Sequence, residues 1–227
     1  EVAEPDQLLA ISHYSHDQKS TSMDITKARE FGVTGGTVEE VLALQPDVVV
    51  AGSFLAPATR QAFADLDIRV ETFGIASTIE DNHSQIRDLA ALAGDAEAGE
   101  ALIAEIDQAL RDTAIGEGEP LSAVLWQPAG IVPGEGALVS NLMTHVGFTS
   151  HSAERGLGQA EYLSLEEMLD DPPQVLLLAG QERSQQHPAL TKIDTHLAQF
   201  DASLLYCGGP TIIRAVERLA KTREDIS

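Results

Sequence analysis

The chain has 227 residues, 43% of them hydrophobic, enough to bury a sizeable core in one large domain or two small ones. Its 36 Asp and Glu against 14 Lys and Arg give a formal charge of -22, which argues against nucleic acid or an anionic lipid surface as a partner, since both need basic patches. No apolar run reaches the length of a membrane span, and the single cysteine, Cys207, allows no disulfide within the chain. Glu1-Val2-Ala3-Glu4 has neither the basic start nor the apolar core of a signal peptide, as a mature secreted chain and a cytosolic one would both show.

Hydrophobic periodicity predicts a short strand over Leu8 to Ser12 and a helix over Val38 to Leu44. The continuous apolar run Val48 to Gly52 reads as a strand buried on both faces. A helix from Ala56 to Leu66, a strand from Arg69 to Phe73 and a helix from Ile79 to Leu92 follow. Asp95 to Thr113 is the longest helical segment, with Ala98, Leu102, Ile106 and Leu110 on one face. Gly94 closes the helix before it and Asp95 offers an N-cap oxygen.

Gly116-Glu117-Gly118-Glu119-Pro120 has the composition of a linker, after which the pattern restarts. Strands are expected at Ala123 to Trp126, Val175 to Leu178 and Leu204 to Cys207, the last placing Cys207 as a small buried residue. Helices are expected at Leu138 to Val146, Leu165 to Leu169, briefly from Pro188 to Ile193, and Ile212 to Lys221. Strands alternating with helices make this an α/β protein with parallel sheets in two Rossmann-like lobes. The expected boundaries are an N-terminal lobe over 1–94, a connecting helix over 95–115 and a C-terminal lobe over 116–227.

One segment occurs twice. Thr37-Val38-Glu39-Glu40-Val41-Leu42 precedes Pro46 and Val48-Val49-Val50, and Ser164-Leu165-Glu166-Glu167-Met168-Leu169 precedes Pro173 and Val175-Leu176-Leu177. Thr37 and Ser164 stand where N-cap hydroxyls belong, and Glu40 and Glu167, three residues on, complete capping boxes. The first acid of each pair, Glu39 or Glu166, is left at the second helical position. There the helix dipole favours it and no intramolecular partner is required.

Thr37 to Gly52 resembles the signature helix-strand unit of the periplasmic binding proteins for vitamin B12, iron-siderophores and haem, and the second copy resembles the matching unit of their C-terminal lobe. Leu125-Trp126-Gln127, the loop containing Gly134, Asn141-Leu142-Met143 and Val146-Gly147 are similar to the opening of that lobe. Cys207-Gly208-Gly209-Pro210 and Ala215 to Leu219 are similar to its closing helix. The resemblance implies two lobes joined by one long rigid helix, with ligand held in the cleft between them. It also implies a monomer, periplasmic or tethered to the cell surface, that is not an enzyme and hands its ligand to an ABC permease. The glutamates that dock on permease arginines in that family fall on Glu39 and Glu166. The family's usual opening strand and helix, before the segment matching Leu8 to Ser12, have no counterpart here.

In open α/β sheets ligands bind beyond the C-terminal ends of the strands. The candidates there are His13, Tyr14, Ser53 and Phe54 in the first lobe and Trp126, Gln127, Arg155, Gln181, Glu182, Gly208 and Gly209 in the second. Tyr14 matches a cleft tyrosine of the B12-binding relatives. With aromatics only 4% of the chain, two or three of them at strand ends offer apolar faces to a macrocycle or chelate, and Arg155 offers a charge to an anionic group. The alternative is that Trp126 and Phe54 pack under loops. The expected ligand is an iron chelate or corrinoid, so any iron or cobalt arrives with the ligand and no separate cofactor is expected. Haem held by Tyr14 or a nearby His is a variant of this reading. A related group binds bare zinc or manganese, for which His13, His16, His151, Glu182 and His187 are the available donors. The enzyme alternative has no dinucleotide fingerprint, Walker loop or nucleophile elbow to support it.

Overall fold

The computed structural model describes residues 1–115, 118–205 and 207–226. Gly116 and Glu117 of the expected linker and Tyr206 of the expected last strand lie outside the described residues.

The N-terminal part holds two separate parallel pairs of strands. β1 (Ile11–Ser12) pairs with β2 (Val33–Thr34), with α1 (Ile25–Ala28) between them in sequence. α2 (Val38–Leu44) leads to β3 (Val49–Gly52), and α3 (Pro57–Asp65) leads to its partner β4 (Val70–Phe73). β3 is not buried on both faces as its apolar run suggested. It belongs to a two-stranded sheet whose residues alternate between half-buried and exposed, and Val50 keeps 51% of its surface.

α4 (Ile79–Ala93) begins with a full capping box between Thr78 and Asp81 and ends at Gly94, whose φ of 81° is free of penalty only in glycine. Asp95 then caps α5 (Ala96–Thr113), accepting from the Ala98 amide. These 18 residues span roughly 27 Å. Leu102, Ile106 and Leu110 are buried as their spacing of four required, together with Gly99, Ile103 and Ala109. A Cβ at Gly99 would come within 2.5 Å of the Ala90 Cβ, so the bare glycine is what lets α5 lie directly against α4.

The C-terminal part is built on β5 (Leu121–Trp126), followed by β6 (Ile131–Val132), α6 (Leu138–His145), β7 (Phe148–Ser150), α7 (His151–Glu154), β8 (Glu161–Tyr162), α8 (Leu165–Asp170), β9 (Val175–Leu178), β10 (His196–Gln199) and α9 (Thr211–Glu224). Four strands form one parallel sheet in the order β10-β9-β5-β7, and β6 and β8 form a small antiparallel pair. Alternate residues of β5 and β9 enter different cores. Leu125 and Leu177 join Ile106 and Ile212 on one face, while Val124 and Leu176 join Met168 and Leu163 on the other. Coverage on both faces explains the unbroken Val-Leu-Leu-Leu of β9.

Leu204 and Leu205 do not belong to a strand. Ala202–Leu205 forms a 3-10 turn and Cys207 is exposed. The sheet's outer strand comes earlier, at His196–Gln199, an edge position whose half-polar sequence carries little strand signal. Ser22 joins the two parts of the chain: its hydroxyl donates to the Ser203 carbonyl, and its own carbonyl accepts from Arg214.

Candidate functional site

The two copies of the repeated helix start are built differently. At α8 the capping box is complete: the Glu167 amide donates to Ser164 Oγ at 3.2 Å, and the Ser164 amide donates to Glu167 Oε2 at 2.9 Å. At α2 only half of it forms. Thr37 Oγ1 accepts from the Glu40 amide, but the Glu40 carboxylate turns back to Thr34 Oγ1 (3.0 Å) and the Gly35 amide (2.7 Å) instead of capping Thr37. The bond from Thr34, then that from Gly35, holds the Glu40 carboxyl below its usual range, and the two bonds from Ser164 do the same for Glu167. Glu39 and Glu166 are exposed at both sites, and neither makes a hydrogen bond or ion pair with another described residue.

A cavity of about 570 Å³ lies where the two parts meet, within the range usual for small-molecule sites. Its walls are the loop after β4 (Gly74 to Ala76), α4, the residue after β5 (Gln127), α6, the segment around Gln159, and Leu204, Leu205 and Cys207 to Gly209 before α9. Most of that wall is aliphatic, with Ile75, Leu138, Leu142 and Ile212 among it, and its polar side chains include four carboxamides, Asn82, Gln85, Gln127 and Gln159. Gln85 donates Nε2 to the Gly74 carbonyl at 3.0 Å. Asn82 is 2% exposed; its Oδ1 accepts from the Gly209 amide at 2.6 Å, while its Nδ2 is buried with no hydrogen-bond partner among the described residues. A second bond across the same junction runs from Asn141 Nδ2 to the Ser77 carbonyl at 3.2 Å.

Three of the residues expected at the site, Gln127, Gly208 and Gly209, line this cavity. His13 and Tyr14 sit in a 3-10 turn directly after β1 with their rings 4.1 Å apart, and Tyr14 is 62% exposed. Ser53 and Phe54 follow β3, and Phe54 is 83% exposed. These four lie at strand ends, as expected, but not in the cavity lining. Gln181 is exposed, and its carbonyl accepts from the Gln186 side chain.

Trp126 presents no face to a cleft. It is 1% exposed, packs with Val132, Leu163 and Met168, and donates Nε1 to the Leu163 carbonyl at 3.0 Å. Its place at the end of β5 is right, but the β6–β8 pair lies over that end and takes the ring into the core. Arg155 is also engaged, donating Nη1 to Asp171 Oδ2 at 2.9 Å. Four of the five donors of the bare-metal alternative are occupied elsewhere, His16 on the Ala28 carbonyl, His151 on the Asp171 carbonyl, Glu182 on the Ala129 amide and His187 on the Ala189 amide, while the His13 ring lies against Tyr14. Among the described residues no three His, Cys, Asp or Glu gather around a metal-sized space.

Asn82, Gln85 and Gln159 were not among the expected site residues. A signal existed for Asn82, a polar residue on the buried stripe of α4 with Ile86 and Ala90. Gln159 had none, because it comes from a short connection far along the chain.

The sequence pattern of the periplasmic binding proteins matches residues 1–199. No curated protein matches the chain in sequence. Among solved structures, the periplasmic heme-binding protein RhuT from Roseiflexus sp. RS-1 in its apo form is similar with a TM-score of 0.78 at 18% identity, covering 96% of this chain and 89% of that one. The vitamin B12-binding protein BtuF of Vibrio cholerae gives 0.76 at 18%, covering 99% and 91%. The heme-binding protein HutB of Vibrio cholerae gives 0.77 at 15%, covering 96% and 91%. Among the described residues no helix is long and apolar enough to cross a membrane. The matched pattern and the shared α/β architecture, two lobes with a long helix between them, lead to one conclusion: the chain belongs to the periplasmic binding protein family.

Proposed function

We propose that this protein captures an iron chelate or a corrinoid outside the cytoplasm and delivers it to an ABC permease. The observation that carries this reading is the cavity of about 570 Å³ at the junction of the two parts, walled by aliphatic and carboxamide side chains. A mostly apolar wall with a few fixed polar groups suits a large, rigid ligand with an apolar body. The names of the similar structures, heme-binding and vitamin B12-binding, support a ligand of that size. Tyr14 and Phe54, exposed after β1 and β3 and outside the cavity lining, offer aromatic surface to a ligand that extends beyond the cavity.

In this reading the lobes are 1–94 and 116–227, 95–115 connects them, and the protein works as a monomer, in the periplasm or tethered at the cell surface. Glu39 and Glu166 meet arginines of the permease. Each is exposed, without a partner among the described residues and at a helix start, so its charge is available to a docking surface.

Calorimetric titration with cyanocobalamin, haemin and ferric siderophores, against zinc and manganese salts, tests the proposal. Saturable binding of one chelate or corrinoid at micromolar concentration or below is the expected result. Binding of the bare ions alone overturns it, as does turnover of any of the compounds.

A further inference from the structure

The chemistry of the cavity wall narrows the ligand further, given the carrier reading above. Asn82, Gln85, Gln127 and Gln159 supply four carboxamides, and no Lys, Arg, Asp or Glu stands among the described residues that line the space. Two of the four are committed in part, Gln85 to the Gly74 carbonyl and Asn82 to the Gly209 amide. The side chains of Gln127 and Gln159 make no hydrogen bond with any described residue. Each therefore offers an N–H donor and a carbonyl acceptor to whatever enters.

A neutral amide-type group on a ligand is satisfied by such a wall, donor against acceptor, with no charge to compensate. A carboxylate or catecholate is not. It would shed its water among Ile75, Leu138 and Leu142 and find no cation, which is the costly way to bury a charge. The long-range field acts in the same direction, because a formal charge of -22 repels anions before they reach the cavity.

We propose that the cavity selects a neutral or cationic ligand presenting amide-type carbonyls on an apolar body, and discriminates against ligands that must bury free carboxylates or catecholates. Two sources share that chemistry, the carboxamide arms of a corrinoid and the hydroxamate carbonyls of a ferric chelate. Gln127 and Gln159 are the residues that read it.

The test compares four probes by calorimetry under one set of conditions: cyanocobalamin, ferrioxamine B, haemin and a ferric tris-catecholate. The expected result is that cyanocobalamin or ferrioxamine B binds at least about tenfold tighter than both anionic probes, and which of the two binds identifies the source. If cyanocobalamin binds, its monocarboxylate, with one carboxamide hydrolysed, loses about tenfold in affinity. The double variant Gln127→Leu with Gln159→Leu weakens the preferred probe by a similar factor, with an unchanged melting temperature as the control for folding. Tighter binding of haemin or the tris-catecholate overturns this inference and leaves the carrier reading standing. Unchanged affinity in the double variant overturns the role of the two glutamines. Failure of all four probes to bind removes the carrier reading, and this inference with it.

Discussion

Asn82 Oδ1 and the Gly209 amide are 2.6 Å apart across 127 positions of sequence, and the bond fastens α4 to the turn that starts α9. Gly208 is pressed against the same oxygen, so closely that a Cβ there would collide with it. The cavity wall is thus closed at one point by a single amide, whose own Nδ2 is buried and has no partner among the described residues. Asn82→Ala leaves the Gly209 amide without its acceptor and should cost about 1–3 kcal/mol. Urea unfolding measures the loss, and faster hydrogen exchange at the Gly209 amide localises it. Gly208→Ala should loosen the same junction. Unchanged exchange at Gly209 in either variant would show that the bond does not hold the turn.

Trp126 gives a prediction of the opposite kind. Because the ring is enclosed and its N–H is spent on the Leu163 carbonyl, Trp126→Phe should lower stability by about 1–3 kcal/mol and leave ligand affinity unchanged. Denaturation and calorimetry on the same preparation separate the two effects. A loss of affinity without a loss of stability would return the ring to the cleft.

Charge reversal tests the exposed glutamates. Glu39→Lys together with Glu166→Lys removes no contact with a described residue but sets a positive charge against each helix dipole, so the melting temperature should fall only slightly and ligand affinity should match that of the parent protein. Permease-dependent uptake should be abolished. Normal uptake by the double variant would end the docking assignment.

Acid should weaken the fold through the repeated helix starts and α4. Glu40, Glu167 and Asp81 have carboxyls held below their usual range by hydrogen bonds that need the ionised form: from Thr34 and Gly35, from Ser164, and from Thr78 and Ser77. Their folded pKa values lie below the unfolded ones, so the folded state binds fewer protons. The stabilisation is complete above the unfolded pKa of about 4 and is lost as pH falls through the depressed folded values. The midpoint of urea unfolding should therefore decline below about pH 4. Glu40→Gln with Glu167→Gln should flatten that decline.

The long periodic elements were legible in the sequence. α2 and β9 run over the residues that their periodicity indicated, and α5 runs as its spacing of four required, because each buries a regular stripe or a continuous apolar run. What failed was set by neighbours. Val48 to Val50 has the composition of a central strand, yet β3 has one partner and one packed face, a fact about the sheet that no local window contains. Trp126 stands at a strand end, where a cleft residue belongs, but the two-residue strands β6 and β8 cover it, and pieces that short leave no periodicity to read. Glu40 had the spacing of a capping-box acid, and the turn at Thr34 and Gly35 took its carboxylate instead. The cavity was legible only through Gln127, Gly208 and Gly209. Its other amides come from the first half of α4 and from a short connection, and the fold alone brings them together.

The two unjoined strand pairs of the N-terminal part have a further consequence. Two-stranded sheets are marginal by themselves, whereas the four-stranded C-terminal sheet is packed on both faces. The polypeptide should therefore carry a gradient of cooperativity, with its first 75 residues or so opening at lower free energy than the C-terminal sheet. A ligand seated between Ile75 and Ile212 grips both ends of that gradient and lends the weaker part the resistance of the stronger. Empty and loaded carriers would then differ in lifetime against proteases, so that cargo governs how long each copy survives as well as what it delivers.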